Sequence, residues 1–144
     1  MTEQPQVVIE LPFPPSTNQA YRVRNTFTRG GGRGVYMTTE AKHYKADAQM
    51  LARQAMLDAG MSVTSKPVLM YLDLVPPSNH RWDLDNRHKL IQDALEGIVY
   101  HDDSQIIQKL TTKHPKHPDA GAWVGIYVID EWEPSHPARR FTQC

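Results

Sequence analysis

The sequence of 144 residues has few of the features that mark secreted, membrane-bound or nucleotide-cradling proteins. Its only cysteine is Cys144, which excludes an internal disulfide and fits a reducing cytosol. No apolar run is long enough to cross a bilayer, and the first residues lack the basic start and apolar stretch of a signal peptide. The glycine-rich stretch at residues 29–34 lacks the lysine and hydroxyl of a Walker motif. We therefore expect a cytoplasmic protein with no membrane partner, folded as one domain over residues 1–130, with a loosely ordered tail at residues 131–144.

The charges are unevenly distributed, although the formal net charge is zero. Residues 83–103 contain six acidic and two basic residues, a balance of −4, whereas the rest of the chain has 14 basic and 10 acidic residues, a balance of +4. An acidic pocket in a mildly basic frame suits an enzyme that holds a metal ion against a polyanion. An ordinary domain with patchy charge has the same composition, so the pattern supports that function without requiring it.

The spacing of apolar residues predicts an α+β domain with two main helices and a mixed or mostly antiparallel sheet. The first helix is expected to begin at Thr38 or Thr39 and to end at Gly60, and the second to begin near Asp85 and end at Gly97. The predicted strands lie at residues 7–11, 35–37, 67–75, 106–113 and 122–129.

Four aspartates around the second predicted helix form the most informative pattern. Asp83 and Asp85 are two residues apart just before the helix, so both side chains project to the same side of an extended chain. Lys89 follows one helical turn after Asp85, on the same face. Asp102 and Asp103 lie in the turn after the helix, and we expect a helix–loop–strand unit to bring them back towards the first pair.

Clustered carboxylates beside a lysine suit the hydrolysis of a phosphodiester with a metal ion. Magnesium prefers oxygen ligands and keeps several waters, so one or two carboxylates and a substrate phosphate can hold it. The ion lowers the pKa of a bound water and neutralises charge that develops on the phosphate. A nearby lysine can stabilise the transition state or orient the attacking water.

The same residues also have a purely structural interpretation. Asp85 can cap the helix, and Asp102 and Asp103 can form a solvated turn. Lys89 can pair with an acidic residue one turn away. We expect Glu96 to face solvent on the helix rather than to bind a metal. The residues alone favour this interpretation, because acidic turns are common.

Basic and aromatic side chains are candidate contacts to nucleic acid. Cations near phosphates confer affinity without sequence preference, and Trp82 could stack on an unpaired base at a branch point. A solvated surface, or core packing for the tryptophan, is the alternative. His114 and His117 have a metal-like spacing but no third ligand nearby, so we expect no structural zinc there. The candidate DNA-contacting residues are Asn18, Arg22, Arg24, Arg29, Arg33, Arg81, Trp82 and Arg87.

Three separated blocks of the sequence resemble the RusA family of Holliday-junction resolvases, small dimeric endonucleases of bacteria and their phages. The first block is LPFPPSTN at residues 11–18 with Tyr21 and Arg22 after it, and the second is TEA at residues 39–41 with Tyr44. The third contains DLDN at residues 83–86, Lys89, DAL at residues 93–95 and DDSQI at residues 102–106. Together the blocks cover most of residues 7–128, and their combination reverses the preference for the structural interpretation.

The resemblance implies a RusA-like fold and magnesium-dependent paired cuts in opposing strands of a four-way DNA junction, with manganese as an alternative ion. Asp83 and Asp85 match the first two metal-binding aspartates of the family, Asp103 matches the third with Asp102 as its possible substitute, and Lys89 matches the catalytic lysine. A homodimer is implied, because two symmetric nicks need two copies of one site. A less selective flap or fork nuclease, and a module that binds branched DNA without cutting it, stay open as alternatives.

Overall fold

The computed structural model describes residues 4–16, 21–23 and 35–131, with the backbone alone at residues 21–23, 35, 85 and 86. Most of the predicted tail therefore lies outside the described residues, and its separation from the domain stays a prediction. In chain order the elements are β1 (Val7–Leu11), β2 (Tyr21–Val23), β3 (Val35–Met37), α1 (Thr39–Asp58), β4 (Val68–Val75), α2 (Asp85–Leu95), a 3₁₀ turn (Asp103–Gln105), β5 (Ile106–Lys113) and β6 (Gly121–Val128).

Four strands form one mixed sheet in the order β1-β6-β4-β5, and β2 pairs separately with β3. The central strand β4 is antiparallel to β6 and parallel to β5. A parallel pair requires a crossover connection, which α2 supplies between β4 and β5. The predicted α+β class, with two main helices and a mixed sheet, is confirmed.

Local sequence signals account for the ends of both helices. The Thr38 hydroxyl accepts a hydrogen bond from the Ala41 N–H at 3.3 Å and caps α1, as predicted. Gly60 follows the end of α1 with φ of 65°, and Gly97 follows α2 with φ of 84°. These are left-handed conformations that glycine adopts without strain. Gly60 ends α1 as expected, whereas α2 ends two residues before Gly97, because Glu96 already has extended backbone angles.

The core lies between the helices and one face of the sheet. In β4 the buried side chains alternate with more exposed ones, as the period of a strand with one covered face requires. Along α1 the buried positions recur at three- and four-residue spacing. The inward-facing residues of these two elements are Val68, Met70, Leu72 and Leu74 in β4, and Ala41, Tyr44, Ala48, Ala52 and Met56 in α1. In the part of the chain that the structure describes, no helix has the length and apolarity needed to cross a membrane.

Parallel pairing of β4 and β5 gives the molecule two distinct ends. We call the end where both strands finish, at Val75 and Lys113, the Asp83 end. The end where both strands begin, at Val68 and Ile106, is the Asp103 end. The helix α2 starts at the first and finishes at the second, and its 11 residues span roughly 16 Å.

Candidate active site

An exposed carboxylate cluster occupies the Asp103 end. Glu96, Asp102 and Asp103 each offer one oxygen within 4.8 Å of the other two. Glu96 does not lie on the helix, because it is the residue after α2 and has extended backbone angles of −64° and 130°. The Asp103 N–H donates to Glu96 Oε1 at 3.3 Å. Glu96 faces solvent as expected, but it lies just after the helix and beside the two aspartates, and no sequence signal other than its acidic side chain singled it out.

The loop that carries the cluster is held by Gln105 and Tyr100. The side-chain oxygen of Gln105 accepts from the His101 and Asp102 N–H groups at 2.8 and 3.0 Å, and its Nε2 donates to Thr64 O at 2.8 Å. The buried Tyr100 hydroxyl donates to Gln92 O at 2.7 Å. Hydrogen bonds thus connect the loop both to the segment before β4 and to α2.

The donor set of the cluster fits a hard divalent cation. The Ser104 hydroxyl donates to Asp102 Oδ2 at 2.5 Å, and this bond is the largest cause of the lowered pKa of Asp102. Ionised carboxylates this close repel one another, and a divalent ion would relieve the repulsion. Carboxylate oxygens suit magnesium or manganese, whereas softer metals prefer sulfur and imidazole.

Asp83 lies at the other end, on a loop anchored by its neighbour Trp82. Trp82 is 8% exposed and packs edge-on against Phe13, with ring centroids 5.3 Å apart. Lys113 Nζ donates to Trp82 O at 2.8 Å and lies 4.5 Å from the centre of the indole ring. Asp83 itself is exposed. This burial favours core packing over base stacking as the role of Trp82.

The start of α2 holds the remaining predicted catalytic groups. The helix cap is Leu84, with no side-chain hydrogen bond, so Asp85 is the first helical residue and not the cap. The Asp85 side chain lies outside the described residues. Lys89 is largely exposed, and its Nζ lies 3.4 Å from Asp93 Oδ2, one turn further along the helix.

Arg87, a predicted DNA contact, is turned towards the protein. Its Nη1 donates to Pro14 O at 2.7 Å, and its guanidinium lies 5.2 Å from the centre of the Phe13 ring. Burial lowers the pKa of Arg87, and the charge of Glu40 partly opposes this shift. Its buried Nε has no hydrogen-bond partner within the described ranges. These contacts attach α2 to the segment that follows β1.

The two groups of acidic residues lie at opposite ends of the folded domain. The Asp83 loop is joined to Lys113 at the end of β5, whereas Asp103 directly precedes the start of that strand. The eight residues of β5 span roughly 25 Å. The expected return of Asp102 and Asp103 towards Asp83 does not occur within one chain, because a strand parallel to β4 must begin at the far end of α2.

Of the predicted DNA contacts, Arg81 lies where its side chain could reach a DNA phosphate. It is exposed and lies two residues before Asp83, in the wall of a groove of about 240 Å³. Sequence reasoning missed the other basic residues of this groove, His80, Lys113, His114 and Lys116. Their only sequence signal was a small excess of lysine around residues 109–116. Asn18, Arg24, Arg29 and Arg33 lie outside the described residues, as does the side chain of Arg22.

Comparison with known proteins identifies the relatives of this chain. A sequence model of the family described as endodeoxyribonuclease RusA matches residues 12–127. The crossover junction endodeoxyribonuclease RusA of Escherichia coli strain K12 is 32% identical over 108 residues, which cover 74% of this chain and 82% of that protein. The proteins of the same name from Shigella sonnei and from Enterobacteria phage 82 show the same identity and coverage.

Proposed function

This chain belongs to the RusA family of endodeoxyribonucleases, and from that premise we propose that it is a metal-dependent endonuclease that resolves Holliday junctions in DNA recombination and repair. The relatives are named crossover junction endodeoxyribonucleases. The structural observation that carries the metal dependence is the convergence of Glu96, Asp102 and Asp103. We propose the cytoplasm of a bacterium or a phage-infected cell as the place where the enzyme meets its substrate.

Magnesium, with manganese as the alternative, is the proposed ion. Asp103 and Asp102 would hold it together with Glu96, and Asp83 and Asp85 would supply the remaining carboxylates. When bound, the ion lowers the pKa of a water and neutralises charge that develops on the phosphate. Asp102, like an ordinary aspartate, would meet the cation ionised at neutral pH, and the Ser104 hydroxyl lowers its pKa further.

The proposed enzyme is a homodimer, and the separation of the two ends supports this. A two-fold axis makes an isologous interface, in which both copies use the same surface patch and a residue at one end of the patch meets a residue at the other end of the partner's patch, reciprocally. If the Asp83 end of one protomer meets the Asp103 end of its partner, two complete sets of carboxylates form. Two such sites suit paired cuts in opposing strands, whereas one chain alone has its acids roughly a strand length apart.

Lys89 is the proposed cationic group of the catalytic site. It lies one turn into α2 from Asp85, at the Asp83 end, with its ammonium largely exposed. A positive charge there can stabilise negative charge on the phosphate in the transition state. The Lys89 Nζ lies 3.4 Å from Asp93 Oδ2.

Replacing one carboxylate tests this function directly. We expect Asp83→Asn to reduce cleavage of a synthetic four-way junction at least about 1,000-fold in magnesium, because the metal loses a ligand, while junction binding is retained. Asp58→Asn, which alters an exposed carboxylate hydrogen-bonded to Gln54 on α1, is the matched control and should cut normally. Cleavage in excess chelator, or full activity of Asp83→Asn, would contradict the proposal.

The choice of substrate separates the proposed function from its nearest rivals. A resolvase cuts the four-way junction in preference to a flap or a linear duplex, whereas a less selective branched-DNA nuclease cuts flaps equally well. A module that only binds DNA cuts none of them. The exposed carboxylates at both ends argue against the last alternative, because acids facing phosphates weaken binding unless a cation lies between them.

A further inference from the structure

Two segments face each other across a groove at the Asp83 end. One is the loop after β4, which carries His80 and Arg81, and the other is the end of β5 with the residues after it, Lys113, His114 and Lys116. The groove has a volume of about 240 Å³, and in the described part of the chain no carboxylate lines it. We call these five side chains and the space between them the basic groove.

The walls of the basic groove are held together by backbone hydrogen bonds. The His114 N–H donates to Leu74 O at 2.9 Å, and the His117 N–H donates to Pro76 O at 3.1 Å. Prolines at positions 76, 77 and 115 restrict both segments further. The groove is therefore formed before any ligand arrives, and little conformational entropy is lost when one binds.

Its cations are available to an external anion. Arg81 and Lys116 are exposed, and within the described ranges neither forms an ion pair. Among the described residues, the carboxylate that contacts a side chain of the groove is that of Asp73, whose Oδ1 lies 2.8 Å from His114 Nε2. That contact orients the imidazole and leaves the arginine and the lysine uncompensated.

The basic groove is joined directly to the proposed catalytic loop. Lys113 Nζ donates to the carbonyl of Trp82, the residue immediately before Asp83, and Arg81 lies two residues before Asp83. An anion held by Arg81 and Lys116 would therefore lie beside the carboxylate that we assign to the metal. A guanidinium and an ammonium converging on one space suit a phosphate, which accepts hydrogen bonds from several directions.

We propose that the basic groove binds a backbone phosphate of the DNA strand, next to the phosphodiester that is cut. This inference rests on the proposed function and adds the residues that position the substrate, Arg81, Lys113 and Lys116. Phosphate contacts fix the register and orientation of DNA without reading its sequence, so the groove would hold any strand that leads into the catalytic site. The basic groove is thus formed by two segments about 30 residues apart in the chain.

The salt dependence of junction binding tests this proposal. We would measure binding of a synthetic four-way junction in excess chelator, where cutting does not compete, between about 50 and 200 mM salt. Lys116→Ala should weaken binding and reduce the slope of log affinity against log salt by about one, and Arg81→Ala with Lys116→Ala by about two. Lys116→Arg should restore most of the affinity, because it keeps the charge.

Lys66→Ala is the matched control. It removes an exposed lysine at the Asp103 end whose charge is already paired with Asp130 at 2.5 Å. If the groove variants keep the wild-type affinity and slope, or if Lys66→Ala lowers both equally, the basic groove has no special role. In both cases a wild-type protein that binds and cuts the junction leaves the proposed function standing. A wild-type protein that neither binds nor cuts branched DNA contradicts the proposed function and this inference together.

Discussion

The two ends of α2 present opposite surroundings to a negatively charged substrate. At the Asp103 end three carboxylates converge, and within the described ranges no lysine or arginine pairs with them. At the Asp83 end the exposed carboxylates of Asp73 and Asp83 adjoin the basic groove, which no carboxylate of the described residues lines. One end therefore suits a metal ion and the other suits the phosphate on which that ion acts, so each end has what the other lacks.

The acidic stretch of the sequence does not form a single acidic surface in the fold. Asp83 belongs to the acidic stretch of the sequence, yet Lys113 and Lys116 from outside that stretch lie beside it in the fold. The acidic stretch of the sequence is divided between the two ends. Among the described residues, the Asp103 end has an acidic cluster and the Asp83 end has the basic groove.

The largest expected effect comes from mixing two inactive variants. We expect Asp83→Asn and Asp103→Asn each to be inactive, and a mixture of the two to recover nicking of a four-way junction. In a mixed dimer whose sites are shared, one site carries both substitutions and the other carries none. Nicked junctions rather than paired cuts should therefore accumulate. If each site is made by a single chain, mixing restores nothing, and a gel assay of the products distinguishes the two cases.

A smaller effect is expected from Glu96, the proposed ligand that the sequence pattern did not single out. Glu96→Gln removes one charge from the cluster and should weaken magnesium binding about tenfold. The same change should raise the melting temperature of the metal-free protein slightly, because like charges no longer repel. Calorimetric titration with magnesium and thermal melts with and without chelator measure the two effects. Unchanged metal affinity would remove Glu96 from the site.

Removing the Tyr100 hydroxyl, which helps to hold the loop at the Asp103 end, should lower the free energy of unfolding by about 1 kcal/mol. Tyr100→Phe removes the partly buried hydrogen bond to Gln92 O, which costs about 1 kcal/mol of unfolding free energy. Burial raises the pKa of Tyr100 far above neutrality, so the hydroxyl donates throughout the physiological range. Urea unfolding measures the change. Tyr36→Phe, at a more exposed tyrosine, should cost less.

The smallest effect concerns the charge of Asp102. Its folded pKa is lowered chiefly by the Ser104 hydroxyl, so its contribution to stability is present above the unfolded pKa and disappears as pH falls through the lower folded value. Ser104→Ala should raise the pKa of Asp102 towards the ordinary value of about 3.9. An NMR titration of the metal-free protein reports it directly, and an identical midpoint in the two proteins would show that the hydroxyl has no influence.

Element boundaries could be predicted because they depend on neighbours in the chain. Thr38 caps α1, and Gly60 and Gly97 take the left-handed conformation after each helix. The alternation in β4 depends on which face of the strand is covered, and it was visible in the apolar pattern. Such signals act over three to five residues, so they can be read without the rest of the structure.

The arrangement of the site could not be predicted in the same way. The separation of Asp83 from Asp103 depends on β5 pairing parallel to β4. No residue near Asp102 and Asp103 indicated that pairing, so the sequence did not show that these two aspartates lie far from Asp83. Glu96 joins the cluster only because the backbone leaves the helix there. The roles of Asp83, Asp85 and Lys89 stay predictions, supported by family membership and by their position at one end of α2.

By itself the sequence determined the fold class, the ends of the helices, the acidic residue types that suit a hard cation and the family to which the chain belongs. The tertiary structure decided which of those residues meet. It grouped Glu96 with Asp102 and Asp103, buried Trp82, and assembled the basic groove beside Asp83. Metal and phosphate binding depend on charges a few ångströms apart, and such distances between remote segments arise only from strand pairing and core packing.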